Sequence, residues 1–299
     1  MRRLFATYFA VCALLFGAWQ TAQSGVMTLL GVGASAATAS CSQSATWFGR
    51  VSGLSATEHT AQDTMICGLV TDGVWCGTTM DALYFFATNN TTNAALNMCS
   101  SSFSLTTHGS PTFTADTGFT GDATAAFFDT GFNPSTAGGN FVQNSAHTGV
   151  YILTSRTSNQ LYQAIGNSDT TTTSTGLLPL FSTLVFYSEN DACGGSQATN
   201  SNAQGFWINT RINSTTLNLY QNDAVFAGPT TCTSVSLQSL NLYVLARNAA
   251  GTADRFSGDQ VAAAFFGGAL TSTQEHHIAC RINQALTTMG VNVYANSGC

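Results

Sequence analysis

Apolar and polar residues alternate on both sides of Asn222-Asp223, with Leu217-Asn218-Leu219-Tyr220-Gln221 leading in and Ala224-Val225-Phe226 leading out. A period of two around a polar dipeptide is a β-hairpin signal. Leu240-Asn241-Leu242-Tyr243-Val244-Leu245-Ala246 repeats the pattern as a return strand. Further strand-length runs, split by Gly, Asn, Thr and Pro, fall at 80–87, 125–128, 148–154, 161–165, 184–187, 205–209 and 261–266. Many short strands separated by turn signals predict a sandwich or barrel. The stretches 169–175 and 194–202 are polar and low in complexity, and read as loops.

The period changes twice. Ser55-Ala56-Thr57-Glu58 is a capping-box pattern, and Met65, Ile66, Leu69 and Val70 recur at helical spacing, predicting a helix over about 56–70 ended by Asp72-Gly73. Near the C-terminus Ile278, Ile282, Ala285, Leu286 and Met289 form one apolar face. Thr271 or Ser272 can cap that helix, Glu275 sits in its first turn, and Gly290 ends it. The fold expected is mainly β: an antiparallel jelly-roll β-sandwich with one helix before it and one amphipathic helix after it.

Composition adds compartment and excludes partners. The chain has 299 residues, of which 44% are hydrophobic and only 7% charged, against roughly 25% charged in ordinary domains. It contains no Lys, and its net charge is −6. No basic cluster exists, so nucleic acid is not an expected partner. Met1-Arg2-Arg3 followed by an uncharged run over 4–19 and Ala22-Gln23-Ser24 reads as a secretory leader, with an uncleaved anchor or a start at Met27 as alternatives. The division expected is 1–24 signal peptide or anchor, 25–45 linker, 46–79 helical segment packed on the sandwich, 80–291 sandwich with its helix, and 292–299 tail. Outside the leader stand Cys41, Cys67, Cys76, Cys99, Cys193, Cys232, Cys280 and Cys299, with no C-x-x-C pair among them. Four disulfides in an oxidising compartment account for the even number, while buried thiols in a cytosol are the alternative. Eight cysteines allow 105 connectivities; Cys67–Cys76, Cys193–Cys232 and Cys280–Cys299 are the first pairings to expect. The protein is expected to be secreted or periplasmic, with a virion as the alternative and no membrane contact once the leader is gone.

Phe128-Asp129-Thr130-Gly131-Phe132-Asn133-Pro134, Leu219-Tyr220-Gln221-Asn222-Asp223-Ala224, Leu242-Tyr243-Val244-Leu245-Ala246-Arg247-Asn248 and Phe266-Gly267-Gly268-Ala269-Leu270-Thr271-Ser272-Thr273-Gln274 together resemble the concanavalin A-like, laminin-G-like jelly-roll domains, in the versions found in phage and prophage-encoded proteins. The segment Gly68-Leu69-Val70-Thr71-Asp72-Gly73-Val74-Trp75 is similar to what precedes the sandwich in the phage-type members. The resemblance implies two stacked sheets and a non-catalytic role in carbohydrate or cell-surface contact, or a place in a virion appendage.

Candidate chemistry is sparse. Glycan hydrolysis on such a fold needs two carboxyl groups on one strand face. Glu189-Asn190-Asp191 is the acid-x-acid pattern available, and beside Cys193-Gly194-Gly195 it reads as an exposed loop. Gly194-Gly195-Ser196-Gln197-Ala198 lacks the closing Gly of a nucleophile elbow. Adjacent His276 and His277 diverge on a helix and read as a solvated face; His108 and His147 read as loop or satisfied polar residues. Asp116, Asp122 and Asp129 could supply calcium oxygens, though capping of turns explains them as well, and no other cofactor is implied. For sugar binding, Trp207 and Tyr162 are the aromatic candidates, with core packing as the competing reading. The function expected is a lectin-like module for a glycan or cell-surface ligand. The alternatives are a structural protein of a phage particle or surface appendage, for which self-association is expected, and a secreted glycan hydrolase.

Overall fold

The computed structural model describes residues 41–170, 173–191, 193, 195–295 and 298–299. The leader and most of the expected linker lie outside them. The end of that linker is corrected: Ser42–Phe48 is a helix, α1, seated by buried Trp47, whose indole N–H donates to Gln62 Oε1 at 2.7 Å. Its small polar residues hide a helix that a tertiary contact holds.

Helix α2 (Ala56–Thr71) begins at a capping box: Ser55 Oγ accepts from the Glu58 N–H, and the Glu58 carboxylate accepts from the Ser55 N–H. Helix α3 is one turn, Thr91–Ala94. Helix α4 (Ser272–Thr288) uses the same device with Thr271 and Gln274, and Gly290 follows it at a φ of 76°.

Two sheets stack face to face. Among the described residues, sheet one has eight strands. Its order is β13 (Ala224–Thr231), β12 (Thr216–Gln221), β11 (Gly205–Arg211), β6 (Ala146–Ile152), β17 (Gln260–Gly267), β4 (Gly118–Thr120) and β3 (Thr112–Thr114), and β1 (Met80–Phe85) also pairs with β17. Sheet two has nine: β10 (Ser196–Thr199), β9 (Leu184–Asp191), β8 (Ser174–Phe181), β7 (Ile165–Ser168), β14 (Tyr243–Val244), β5 (Phe127–Asp129) and β2 (Thr106–His108), plus the hairpin of β15 (Arg247–Ala249) and β16 (Thr252–Asp254). Pairing is antiparallel except between β15 and β7. This is a mainly-β antiparallel sandwich with a C-terminal helix. The β12–β13 turn puts Asn222 and Asp223 at φ 53° and 66°, the left-handed pair that matches the twist of a hairpin.

Strand alternation sorts the side chains into two cores. Val150, Ile152, Trp207, Ala264 and Phe266 of sheet one meet Phe128, Ile165, Leu177, Val185 and Val244 of sheet two. The alternate residues Tyr151, Phe206, Ile208 and Phe265 join a second core with Trp47, Met65, Leu69, Ile278, Ile282 and Leu286 of α1, α2 and α4. The central strands of sheet one are therefore buried on both faces, which explains the unbroken apolar run of β17. No described residue of sheet two belongs to that second core. The described residues form three layers: helices, sheet one, sheet two.

Several sequence expectations need correction. The strand expected over 161–165 begins only at Ile165, and that over 240–246 shrinks to Tyr243–Val244 because Leu245 takes a φ of 66° and redirects the chain into β15. The loops expected over 169–175 and 194–202 contain the start of β8 and all of β10, polar segments whose partner strands supply the order. Cys67 does not pair with Cys76. The bridges are Cys41–Cys67, Cys76–Cys99, Cys193–Cys232 and Cys280–Cys299; Cys67 on α2 faces the start of α1, while Cys76 lies beside the loop carrying Cys99. Four disulfides mark an exported protein, and no described helix is long and apolar enough to cross a membrane.

Candidate functional site

The outer face of sheet two carries a groove of about 260 Å³ across β7, β8 and β9, walled by the β15–β16 hairpin. Its floor depends on two glycines. Gly166 pairs with Gly176, and the Gln163 side chain lies across them, its amide donating to Ile165 O at 2.9 Å. A Cβ on Gly176, which sits at φ 143°, would come within 2.3 Å of Ile165 O and 2.9 Å of Gln163 Nε2. The lining is hydroxyl- and amide-rich: Ser168, Thr170, Ser174, Thr175, Ser188, Asn167 and Gln163, with Phe186 as the half-buried aromatic. Asn167 donates from Nδ2 to Leu240 O at 2.7 Å, while its buried Oδ1 has no partner. Arg247 and Arg255 complete the wall.

Beside the groove runs an aromatic ridge. On β5, Phe128 enters the inter-sheet core, so Phe127 points outward; on β14, Val244 enters it and Tyr243 points outward. His108 stacks on Phe127 with centroids 4.5 Å apart, and Tyr243 and Phe256 lie 4.7 and 6.0 Å from Phe127. Tyr243 pairs with Gly166, and Phe256 follows Arg255, so the ridge abuts the groove.

Neither aromatic singled out in the sequence contributes. Trp207 is fully buried in the inter-sheet core, its N–H donating to Ala203 O at 2.9 Å and its ring set edge-on to Phe226. It packs there because β11 is a central strand covered on both faces. Tyr162 lies outside the groove lining, and the Arg156 guanidinium covers its ring at 4.8 Å.

Glu189-Asn190-Asp191 is not an exposed loop: all three residues are fully buried at the end of β9. Asn190 takes a φ of 51°, inside the register shift between β8 and β9. Glu189 points across the sandwich, accepting from Thr148 Oγ1 and, at 3.1 Å, from Asn209 Nδ2 on sheet one. Arg211 donates to Glu189 O and to Cys232 O, and lies 4.0 Å from Asp191. Glu189 Oε2, Asp191 Oδ2, Asn209 Oδ1 and Arg211 Nη2 are buried without hydrogen-bond partners. Burial pushes the Glu189 carboxyl well above its ordinary range, against the pull of Thr148 and Arg211. Burial likewise raises Asp191 and lowers Arg211. Asp191 borders the groove, but Glu189 does not, so the two carboxyl groups do not converge on a common cleft.

The remaining candidates have local roles. His147 is buried in β6 rather than in a loop; its Nδ1 meets Gly268 O, its Nε2 is unpartnered, and burial lowers it to about 4. His276 is not simply solvated, since its Nδ1 contacts Asp223 at 2.8 Å, and His277 has a buried, unpartnered Nδ1. Asp122 accepts from the N–H groups of Thr124, Ala125 and Ala126, each at 2.8 Å, which holds its carboxyl well below the ordinary range. Asp129 accepts from Gly131 N and Asn241 Nδ2, while Asp116 sits at φ 59° after β3. The one three-donor cluster among the described residues is Asp191, Cys193 and Cys232, whose two sulfurs are bonded to each other.

No family model matches this chain, and no curated protein does. Among solved structures it is similar to the binding domain of botulinum neurotoxin serotype D, with 10% identity and a TM-score of 0.48 over 68% of this chain and 52% of that one. A mutant Trypanosoma rangeli sialidase displaying trans-sialidase activity matches with 10% identity and a TM-score of 0.46 over 79% and 40%. Domain 4 of AbnA, a GH43 extracellular arabinanase from Geobacillus stearothermophilus, in complex with arabinotriose, matches with 12% identity and a TM-score of 0.38 over 67% and 98%. This chain spans about half the length of the toxin domain. At such identities and scores the likenesses carry no argument about function.

Proposed function

We propose that this protein is a non-catalytic, lectin-like module whose ligand is a carbohydrate bound on the outer face of sheet two. The observation that carries the reading is the aromatic ridge of His108, Phe127, Tyr243 and Phe256 abutting a groove of hydroxyls and amides on a sheet face that no described helix covers. A pyranose has an apolar C–H face, which stacks on aromatic rings, and a rim of hydroxyls, which exchange hydrogen bonds with Ser, Thr, Asn and Gln. The division into a 46–79 segment packed on an 80–291 sandwich, and the concanavalin A-like kinship, belong to the same proposal. Action at a cell surface fits export.

Hydrolysis has less support, because Glu189 aims at the opposite sheet and not at the groove. Assembly into an appendage would use the exposed edge strand β13, with Val225 62% exposed. That edge is blunted: Pro229 has no N–H to offer and the β12–β13 register shifts twice.

The test is a glycan panel read with the wild type and two tryptophan variants. Ser174→Trp fills the groove, and Thr288→Trp changes the exposed end of α4. Binding kept by Thr288→Trp and lost with Ser174→Trp is the expected outcome. No binding to any neutral or acidic saccharide, or equal binding by both variants, contradicts the reading.

A further inference from the structure

The groove carries a cation that the fold does not use. Beyond residue 40 the chain has six arginines and no lysine. Five are engaged. Arg50 donates to Asn97 O, Met98 O and Ser100 O; Arg156 pairs with Asp259; Arg211 donates to Glu189 O and Cys232 O; Arg247 pairs with Asp254; Arg281 pairs with Asp72. Arg255 is, among the described residues, the one whose guanidinium has no hydrogen-bonded partner, and it lines the groove. Its neighbour Asp254 attracts it, but both Asp254 oxygens already accept from Arg247, Oδ1 from Nε at 2.8 Å and Oδ2 from Nη2.

The backbone holds Arg255 in that place. β15 and β16 pair Arg247 with Asp254 across the hairpin, and Arg255 follows at a φ of 51°, its carbonyl accepting from the Gln163 N–H. Gln163 is the residue lying over the glycine floor, so wall and floor are tied together. Partial burial and the nearby Arg247 charge both disfavour the Arg255 cation, the environment an incoming anion would relieve. The acids near the groove are engaged: both Asp254 oxygens accept from Arg247, Asp191 Oδ1 accepts from the Cys193 N–H with Arg211 4.0 Å from Oδ2, and Asp169 accepts from the Thr173 N–H.

We infer that the groove selects an anionic saccharide, its carboxylate or sulfate received by Arg255 while the ring hydroxyls meet the Ser/Thr/Asn lining. Guanidinium groups bind carboxylate and sulfate through paired N–H donors, and in a partly desolvated groove such a bond is about twice as strong as a neutral one. This inference rests on the carbohydrate reading of the same face and adds the charge of the ligand.

The test uses the whole protein and a matched pair of probes: an oligosaccharide of hexuronic acids and its carboxyl-reduced form, which differ only in –COO⁻ against –CH2OH. A sulfated neutral oligosaccharide is the third arm and distinguishes the two anions. Calorimetric titration is expected to show at least about tenfold preference for the uronate or the sulfated probe over the reduced form, weakening as salt rises. Arg255→Gln is expected to erase the preference, the affinity for the uronate falling to about that for the reduced form; Arg255→Lys restores part of it. An unchanged melting temperature in both variants shows that the fold is kept. Equal affinity for charged and reduced probes, or a preference that survives Arg255→Gln, overturns the inference while the carbohydrate reading stands. Failure to bind all three probes overturns the inference, and the neutral arm of the glycan panel then decides the broader reading separately.

Discussion

Tyr151, Phe206 and Phe265 on sheet one, and Phe127, Phe186 and Tyr243 on sheet two, all point away from the space between the sheets. The first three are sealed under α1, α2 and α4 and make part of a core. Of the second three, Phe186 and Tyr243 are half-buried and Phe127 lies beneath the exposed His108; Phe186 stands beside hydroxyls, amides and a spare guanidinium. The same residue types on the same kind of strand are scaffold in one place and recognition surface in the other. What separates them is the layer above. A helix whose apolar stripe matches a sheet face closes it; a hairpin and loops leave a groove. The helical layer stiffens sheet one, and sheet one in turn supports sheet two, so the open face can be polar without endangering the fold.

The two faces should differ most in what the loss of one ring costs. Phe265→Ala removes a fully buried ring from the outer core and should cost about 3–5 kcal/mol in denaturant unfolding. Phe186→Ala, on the half-buried groove side, should cost under about 1 kcal/mol while lowering glycan affinity. Equal losses of stability would mean the two faces are not different in kind.

The second test is by pH. Glu275 of α4 is buried near Asp223, and burial, then that negative neighbour, raise its carboxyl to about 8. In the unfolded chain it ionises near the ordinary 4.5. The folded state holds the proton longer, so its contribution is fully present below about pH 4.5 and is lost as pH rises through about 8. The slope should total a few kcal/mol between those limits, and Glu275→Gln should flatten it. A wild-type stability that rises over the same window, unaffected by Glu275→Gln, would contradict this environment for α4.

A smaller effect concerns the seam between the sheets. Cys193–Cys232 closes a sequence separation of 39 residues and joins the end of β9 to that of β13. Replacing both by Ser should lower stability by about 2–4 kcal/mol and disturb groove binding, because Asp191 accepts from the Cys193 N–H. Replacing Cys280 and Cys299, far from the groove on the helical side, should lower stability by about 3 kcal/mol or less and leave binding intact. The smallest effect is expected of Ser188→Ala in the groove: under about 0.5 kcal/mol of stability, with a measurable loss of affinity.

The sequence made the sandwich legible through period-two runs such as residues 217–221, and both long helices through their capping residues. The site was less legible, for physical reasons. Trp207 drew notice as a large aromatic, but its strand turned out to be central and covered on both sides, a fact of topology. Phe127-Phe128-Asp129 did carry a usable signal, since adjacent phenylalanines on a strand must face opposite ways and one of them leaves the core. Glu189 read as loop because Gly and Asn cluster around it; a bulge at Asn190 instead carries the segment inward. Arg255 offered no local signal, since its importance comes from Asp254 being already taken by Arg247 across a hairpin.

The most direct test of the central claim, that the uncovered face of sheet two is the ligand surface, is backbone amide chemical-shift mapping with a saccharide that binds in the panel. Perturbations are expected to concentrate in β7, β8, β9 and the β15–β16 hairpin, with α2 and α4 silent. Perturbations centred on the helical layer or on the edge strand β13 would contradict it.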